Sequence, residues 1–402
     1  MNTKTSAEAA ATPTRAITLL AMAAFVSSAN LRVCDALLPQ IAGDLGVTVG
    51  SAAAVVTAFA LAYGLLQVAV GPLGDARGKL NVLVLGCLWA GITTILGAVM
   101  PSLAPLVVLR FMAGAGGAAI IPLAIAWLGD VIPYEQRQPM LARFASGQIL
   151  GVVFGQAAGG AVGELIGWRA TMLLLGVCHI ATALLLMAEI RRAMLGGAHS
   201  GRAKWRDAAA LAASIVRRAW VRVVLIAIFL EGMIMYGAFA YVGAHLHHQF
   251  GIGFGTVGAI LASFGIGALC YSLNAGVLVR RLGQPGLVAL GSVFLAVGYG
   301  TLGVMRTLWL APPAIVALGL GLYMLHNTLQ TVATQMAPEA RGLAISLFAF
   351  MLFSGQSAGV ALAAPIVDRY GAGPIFLTSA VALPLVALWF RWELMRHHSR
   401  EA

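Results

Sequence analysis

Acidic side chains are scarce in this chain: Asp and Glu number 14 in 402 residues, and all charged residues make up 10%. A soluble domain carries roughly 25% charged residues, so that shortage excludes a soluble globular protein. Cysteine is equally sparse. Cys34, Cys87, Cys178 and Cys270 stand singly inside apolar stretches, in no metal-ligand spacing, and read as small packing residues. A nucleotide-binding Gly-Lys-Ser/Thr loop is missing, which argues against an ATP-driven pump. Also missing are a His and Asp cluster at a membrane face and a Ser nucleophile with its base, so an integral-membrane enzyme finds no catalytic constellation and none is expected. No metal and no cofactor is expected either.

What the chain has instead is apolar length. Hydrophobic residues make up 60%, and 48 glycines suit close helix packing in lipid. Twelve stretches are long enough to cross about 30 Å of hydrocarbon as helices: 16–42, 50–73, 80–99, 103–129, 141–163, 167–188, 219–247, 254–279, 286–305, 309–335, 342–366 and 374–392. The first 15 residues are polar, and the segment after them is long enough to span, so a cleaved signal peptide is not expected.

The net charge of +11 is placed for topology rather than for nucleic acid. Of the 25 Lys and Arg residues, Arg32 and Arg110 fall within spans and Arg169, Arg306 and Arg369 fall on one side; the rest gather on the other. The positive-inside rule then puts both termini in the cytoplasm of a plasma membrane, the inner membrane of a bacterium. The longest connection, 191–218, is a basic cytoplasmic linker containing Arg202, Lys204, Arg206, Arg217 and Arg218, with 207–218 able to lie as a short helix on anionic lipid.

The two halves repeat one another. Moving Gly46, Gly50, Phe59, Gly71, Gly78 and Gly86 forward by 205 lands on Gly251, Gly255, Phe264, Gly276, Gly283 and Gly291. A shift of 204 carries Arg137, Phe144, Gly151, Gly155 and Gly167 onto Arg341, Phe348, Gly355, Gly359 and Gly371, and Glu164 onto Asp368. Repeated sets of spans mark a secondary transporter with its binding site between the halves. The chain therefore reads as an all-α membrane protein of two pseudo-symmetric six-helix bundles, 1–190 and 219–402.

Ionisable residues inside spans are costly and hence functional candidates. They are Arg32, Asp35, Arg110 and Glu231. Arg32 and Asp35 are three residues apart, on one helical face and close enough to pair. A carboxyl in a low-dielectric cavity holds its proton more tightly, and a nearby Arg loosens it. Rocking that changes the carboxyl–Arg distance would then drive proton exchange, with Asp35 or Glu231 as carrier and Arg110 or Arg32 as switching partner. Weaker candidates for a substrate cavity are Gln156, Tyr236, His326, Asn327 and Gln330, with Gln356, Tyr63, Trp127 and Tyr241 beyond them. His245, His247 and His248 close span seven as an interfacial or pH-responsive cluster.

The connection Gly71-Pro72-Leu73-Gly74-Asp75-Ala76-Arg77-Gly78-Lys79 resembles the signature loop of the major facilitator superfamily, with Ala76 where a basic residue is usual. Span four, Arg110-Phe111-Met112-Ala113-Gly114, resembles the family's Arg motif, with Ala113 in place of Gln. Span five carries Gly151, Gly155, Gly159 and Gly160 and is similar to the antiporters' glycine-rich motif, with Gln156 in place of Pro. Asp35 followed by Leu38-Pro39-Gln40 resembles the twelve-span drug/proton antiporters. The resemblance implies the major facilitator fold, a monomer, and proton-coupled efflux of a small organic compound or drug, with uptake by symport or facilitated diffusion of a metabolite as the alternative. It also implies that Gly71, Asp75, Arg77, Gly78 and Lys79 form a cytoplasmic latch for the outward-open state.

Overall fold

The computed structural model describes residues 14–132, 134–193 and 205–401, and every regular element among them is helical. Ten of the described helices are long and apolar enough to cross a membrane, so the chain is a multi-pass membrane protein. Two of them exceed one crossing: Arg143–Arg192 has 50 residues and Phe254–Val304 has 51, about 75 Å each at 1.5 Å per residue. Each holds one glycine outside helical geometry, Gly167 (φ 88°, ψ 160°) and Gly283 (φ 62°, ψ 176°). Glycine alone takes such angles readily, so each rod is two helices meeting at a corner. Divided there, the described residues hold twelve segments of membrane length.

We number them α1 (Thr14–Arg32 and Leu38–Leu45, joined by a turn at 33–37), α2 (Val49–Arg77), α3 (Lys79–Ala98), α4 (Leu103–Val131), α5 (134–166), α6 (168–192), α7 (Ala219–Phe250), α8 (254–282), α9 (284–304), α10 (Leu308–Ala333), α11 (Arg341–Tyr370) and α12 (Gly373–Glu401). A short helix, Trp205–Val216, precedes α7 and buries Ile215. Arg202 and Lys204 of the expected linker lie outside the described residues.

Span one departs from the uninterrupted helix that its apolar length suggests. Pro39 has no N–H to give back to residue 35 and disfavours helical geometry in the residue before it. The backbone therefore tightens, with Asp35 N bonded to Arg32 O and Leu37 N to Cys34 O, before helix resumes at Leu38.

The repeat read from the sequence is present in the packing. Positive-φ glycines at 46, 78 and 167 recur at 251, 283 and 371. On α5, Gly151 and Gly155 lie against the backbone of Phe25 and Ala29 on α1; on α11, Gly355 and Gly359 lie against Phe229 and Met233 on α7. A Cβ at any of the four would fall less than 3.0 Å from that backbone. Hydrocarbon gives helices no hydrophobic reason to associate, so backbone approach of this kind supplies the packing energy.

These contacts relate α1 to α7 by 204 residues, whereas Gly46 and Gly251 differ by 205. The extra residue in α7 is absorbed by a π-helical turn at Gly232–Tyr236, the usual form of a one-residue insertion in a helix.

The halves meet unevenly along their length. Asp368 on α11 accepts from Gly50 N at 2.8 Å and from Thr48 Oγ1 at 2.7 Å, at the start of α2. Glu164 on α5, its repeat counterpart, accepts from Gly255 N at 2.6 Å, at the start of α8. Each carboxylate thus sits on the positive end of a helix belonging to the other half. Ser357 Oγ donates to Thr57 O at 3.1 Å a little further in. Among the described residues, the side-chain hydrogen bonds joining the halves all lie in this clasped half of the molecule. At the opposite end, which bears the basic loops, the space beside Gly71 on α2 is open, and its counterpart Gly276 meets only Arg280 of its own helix. The molecule is clasped at one end and parted at the other.

Two outcomes are expected. Gly359→Val lowers stability by about 2 kcal/mol through overpacking, whereas Gly43→Ala, with nothing within 4 Å, leaves it unchanged; thermal unfolding in detergent compares the two. Neutralising both clasps, Glu164→Gln with Asp368→Asn, weakens the clasped state by about 2 kcal/mol, a roughly thirtyfold shift. Labelling of a cysteine at Val153 by an impermeant maleimide from the clasped end, in a Cys178→Ser, Cys270→Ser background, should rise accordingly.

Candidate functional site

The turn in α1 places Asp35 in the interior, fully buried. Arg32 Nη1 stands 3.7 Å from Asp35 Oδ2, so the pair anticipated from spacing exists, but beyond hydrogen-bonding distance. Both Asp35 oxygens are buried without a hydrogen-bond partner. Arg32 reaches across the seam and lies 4.2 Å over the ring of Tyr236 on α7, a favourable cation–π position. The backbone at Asp35 and Ala36 presses on Gly243, also of α7. Asp35 is thus held at the seam between the halves, beneath the clasped end.

Arg110 on α4 makes no contact of this kind with Asp35. Its guanidinium donates from Nη1 to Asn30 Oδ1 at 2.5 Å, from Nη2 to Asn30 O at 3.0 Å, and from Nε to Val55 O at 3.4 Å. Asn30 Nδ2 passes the network on to Thr94 Oγ1 at 3.0 Å, and the ring of Phe59 lies 4.3 Å from the guanidinium. The side chain is 1% exposed. In this state Arg110 ties α1, α2 and α3 to α4, with carbonyl oxygens in place of a carboxylate. Asn30 is the residue that reading the sequence missed; a lone Asn in an apolar span, 80 positions from its partner, carries no local pattern.

The second carboxylate lies in the other half. Glu231 ends the regular part of α7, just before the π-helical turn, and is fully buried. Its Oε2 is 2.9 Å from His326 Nδ1 on α10, while Oε1 has no partner. One helix away on α11, Gln356 is fully buried with both its amide atoms unpartnered. Gln156 Oε1, on α5, is in the same condition. A buried polar group without a partner costs about 1–3 kcal/mol. Buried polar groups without partners thus stand on both halves of the molecule.

The other candidates separate. Tyr236 is half-buried beside Arg32, and Asn327 is half-buried near His326, whereas Gln330 is exposed toward the basic end. Tyr241 and Trp127 are packing residues, the former bonded to Val360 O at 2.8 Å. Tyr63 meets Phe353 across the seam, centroids 4.7 Å apart. Gly151, Gly155 and Gly159 pack on α1, whereas Gly160 packs on Phe254 of the other half.

The expected loop 71–79 is helical through Arg77 and again from Lys79, and the turn is made by Gly78 alone, whose φ of 91° suits glycine. Lys79 Nζ is 2.5 Å from Asp130 Oδ2 and 3.9 Å from Asp75 Oδ1, with Asp75 72% exposed and Arg77 exposed. These charges are spent inside one half. Among the described residues no cluster of His, Cys, Asp and Glu is arranged to hold a metal ion.

Comparison with known proteins places this geometry. The sequence profile of the Major Facilitator Superfamily matches residues 20–360. The chloramphenicol resistance protein of Streptomyces lividans is 28% identical over 385 residues, 93% of this chain and 95% of that protein. The uncharacterized MFS-type transporter YwfA of Bacillus subtilis is 24% identical over 366 residues, covering 90% and 87%. Among solved structures, a bacterial homolog of the human lysosomal transporter Spinster, in an inward-facing and occupied conformation, superposes with a TM-score of 0.76 at 16% identity, covering 95% of this chain and 97% of that one.

Cutting the Arg110 network tests its role in packing. Asn30→Leu should destabilise by about 3 kcal/mol, because a buried charge is left short of acceptors; Thr94→Val, at the edge of the network, should change stability by about 1 kcal/mol. Thermal unfolding of both variants in one detergent gives the ranking.

Proposed function

Because the chain belongs to the Major Facilitator Superfamily, we propose that it exports a small organic compound from the cell in exchange for protons, by alternating access. The observation that carries this reading is the pair of membrane-buried carboxylates, Asp35 and Glu231, one in each half, the first with both oxygens unpartnered and the second with one. Holding a carboxylate in a low-dielectric interior is costly unless its charge state changes as part of the work. The resistance function named for the Streptomyces relative supports export over uptake.

With the basic loops in the cytoplasm by the positive-inside rule, the clasped end faces outward and the parted end inward. Substrate enters from the cytoplasm and meets Gln356, Gln156 and the Glu231–His326 pair. Asp35, under the outer clasp, carries the proton that arrives when the clasp opens. Arg32, balanced between Asp35 and the face of Tyr236, is the switching partner, since rocking α1 against α7 changes both distances at once. Arg110 acts through Asn30, holding α1 in place. The segment 71–79 latches the opposite state, and in this one Lys79 is paired with Asp130 and Asp75 of its own half.

The test is substrate-driven proton movement in vesicles. Asp35→Asn and Glu231→Gln should each lower coupled exchange at least tenfold while leaving folding intact by thermal unfolding. Full coupled flux in both variants removes the carboxylates from the mechanism.

A further inference from the structure

At the clasped end, α7, the α9–α10 turn and the α11–α12 turn enclose a cleft of about 510 Å³. Its chemistry is one-sided. His245, His248 and Arg306 line it, and no carboxylate does. Among the described residues Arg306 makes no ion pair, and the ring of His248 lies 5.5 Å from that of His247, centroid to centroid. The Nε2 atom of His245 is buried with no hydrogen-bond partner, its ring fixed edge-on to Phe376 at 5.0 Å. Gln249 is engaged as a strut, donating from Nε2 to Met305 O at 2.8 Å and so holding the Arg306 turn against α7. The floor is the start of α12, where Ala372 and Gly373 line the cleft.

Arg306 and His248, both exposed, and His245 with its unpartnered Nε2 stand beside a helix start without an acid among the lining residues, and this set matches an oxyanion. Arginine and N–H groups recognise phosphate by charge-assisted hydrogen bonds. The rim of the cleft carries apolar and aromatic side chains open to the surroundings: Val304 is 67% exposed and Tyr370 72%. Trp309, nearby on the same connection, is 89% exposed. Exposed aromatics at a helix end mark the level where hydrocarbon gives way to headgroups. We infer that this cleft is a binding site for a phosphate-class oxyanion, set at headgroup height and separate from the interior between the halves. Its ligand bridges α7, α9 and α12 and sits three residues beyond Asp368, whose clasp ends α11 before Gly371.

Two sources supply such a group, a phospholipid headgroup and free phosphate, and the experiment separates them. Full-length protein, stripped of lipid in detergent, is titrated with inorganic phosphate, and lipid adducts are counted by native mass spectrometry with phosphatidylglycerol or phosphatidylcholine. The wild type should bind, and Arg306→Ala with His248→Ala should weaken that binding at least tenfold. Arg369→Ala, a basic residue at the same end outside the cleft, should not. Lipid binding without phosphate binding assigns the site to a headgroup; phosphate binding alone assigns it to the free ion. Should the double variant unfold, Arg306→Gln and His248→Asn are measured singly in its place. A wild type that binds neither ligand, or equal weakening by Arg369→Ala, overturns the inference.

Discussion

Two carboxylates seated on helix starts hold this molecule in the state described. Glu164 and Asp368 occupy equivalent places in the repeat, and each lends its charge to a helix of the opposite half. Both clasps stand at one end of the seam, and the interior carboxylates Asp35 and Glu231 lie fully buried below it. An arrangement with clasps at both ends would be a sealed bundle. With clasps at neither, the halves would have only van der Waals contact to align them. Unequal closure is therefore the condition under which Asp35 and Glu231 have a defined side to face.

Closeness within each half favours rigid-body movement for the rocking proposed above. The glycines of α5 and α11 bring backbone against backbone on α1 and α7, and Arg110 ties three helices through one guanidinium, with a fourth joined through Asn30. Such contacts tolerate little deformation. Movement is displaced to the seam, where the partners are ring faces, a carboxylate beyond hydrogen-bonding distance of its Arg, and helix termini. Each of these is cheap to exchange for another.

Much of the fold was legible in the sequence because lipid imposes a simple code. Apolar length sets the spans, glycine spacing sets the repeat, and basic residues mark one set of loops. The twofold relation of Gly46, Gly78 and Gly167 to Gly251, Gly283 and Gly371 carried through to backbone angles. The Arg32–Asp35 contact was legible because it lies within one turn. The break at 33–37 was foreseeable from Pro39 alone, yet the apolar run around it reads as one helix. Pairings across helices were not legible. Nothing local joins Glu231 to His326 or Asn30 to Arg110, and Gln356 looks like any amide in a span. Their partners are chosen by which helix faces meet, and single-chain periodicity does not record that.

The one-residue insertion in α7 has a consequence for how alike the halves can be. Aligned by their packing, Glu231 corresponds to Ser27, and Asp35 corresponds to the region of Phe239 and Ala240. The two acids are therefore not mirror images but stand some eight positions apart along equivalent helices, about 12 Å in depth. Duplication supplied two matching frames, and acids kept at different positions in each stagger like rungs on a ladder, giving an otherwise reversible scaffold a top and a bottom.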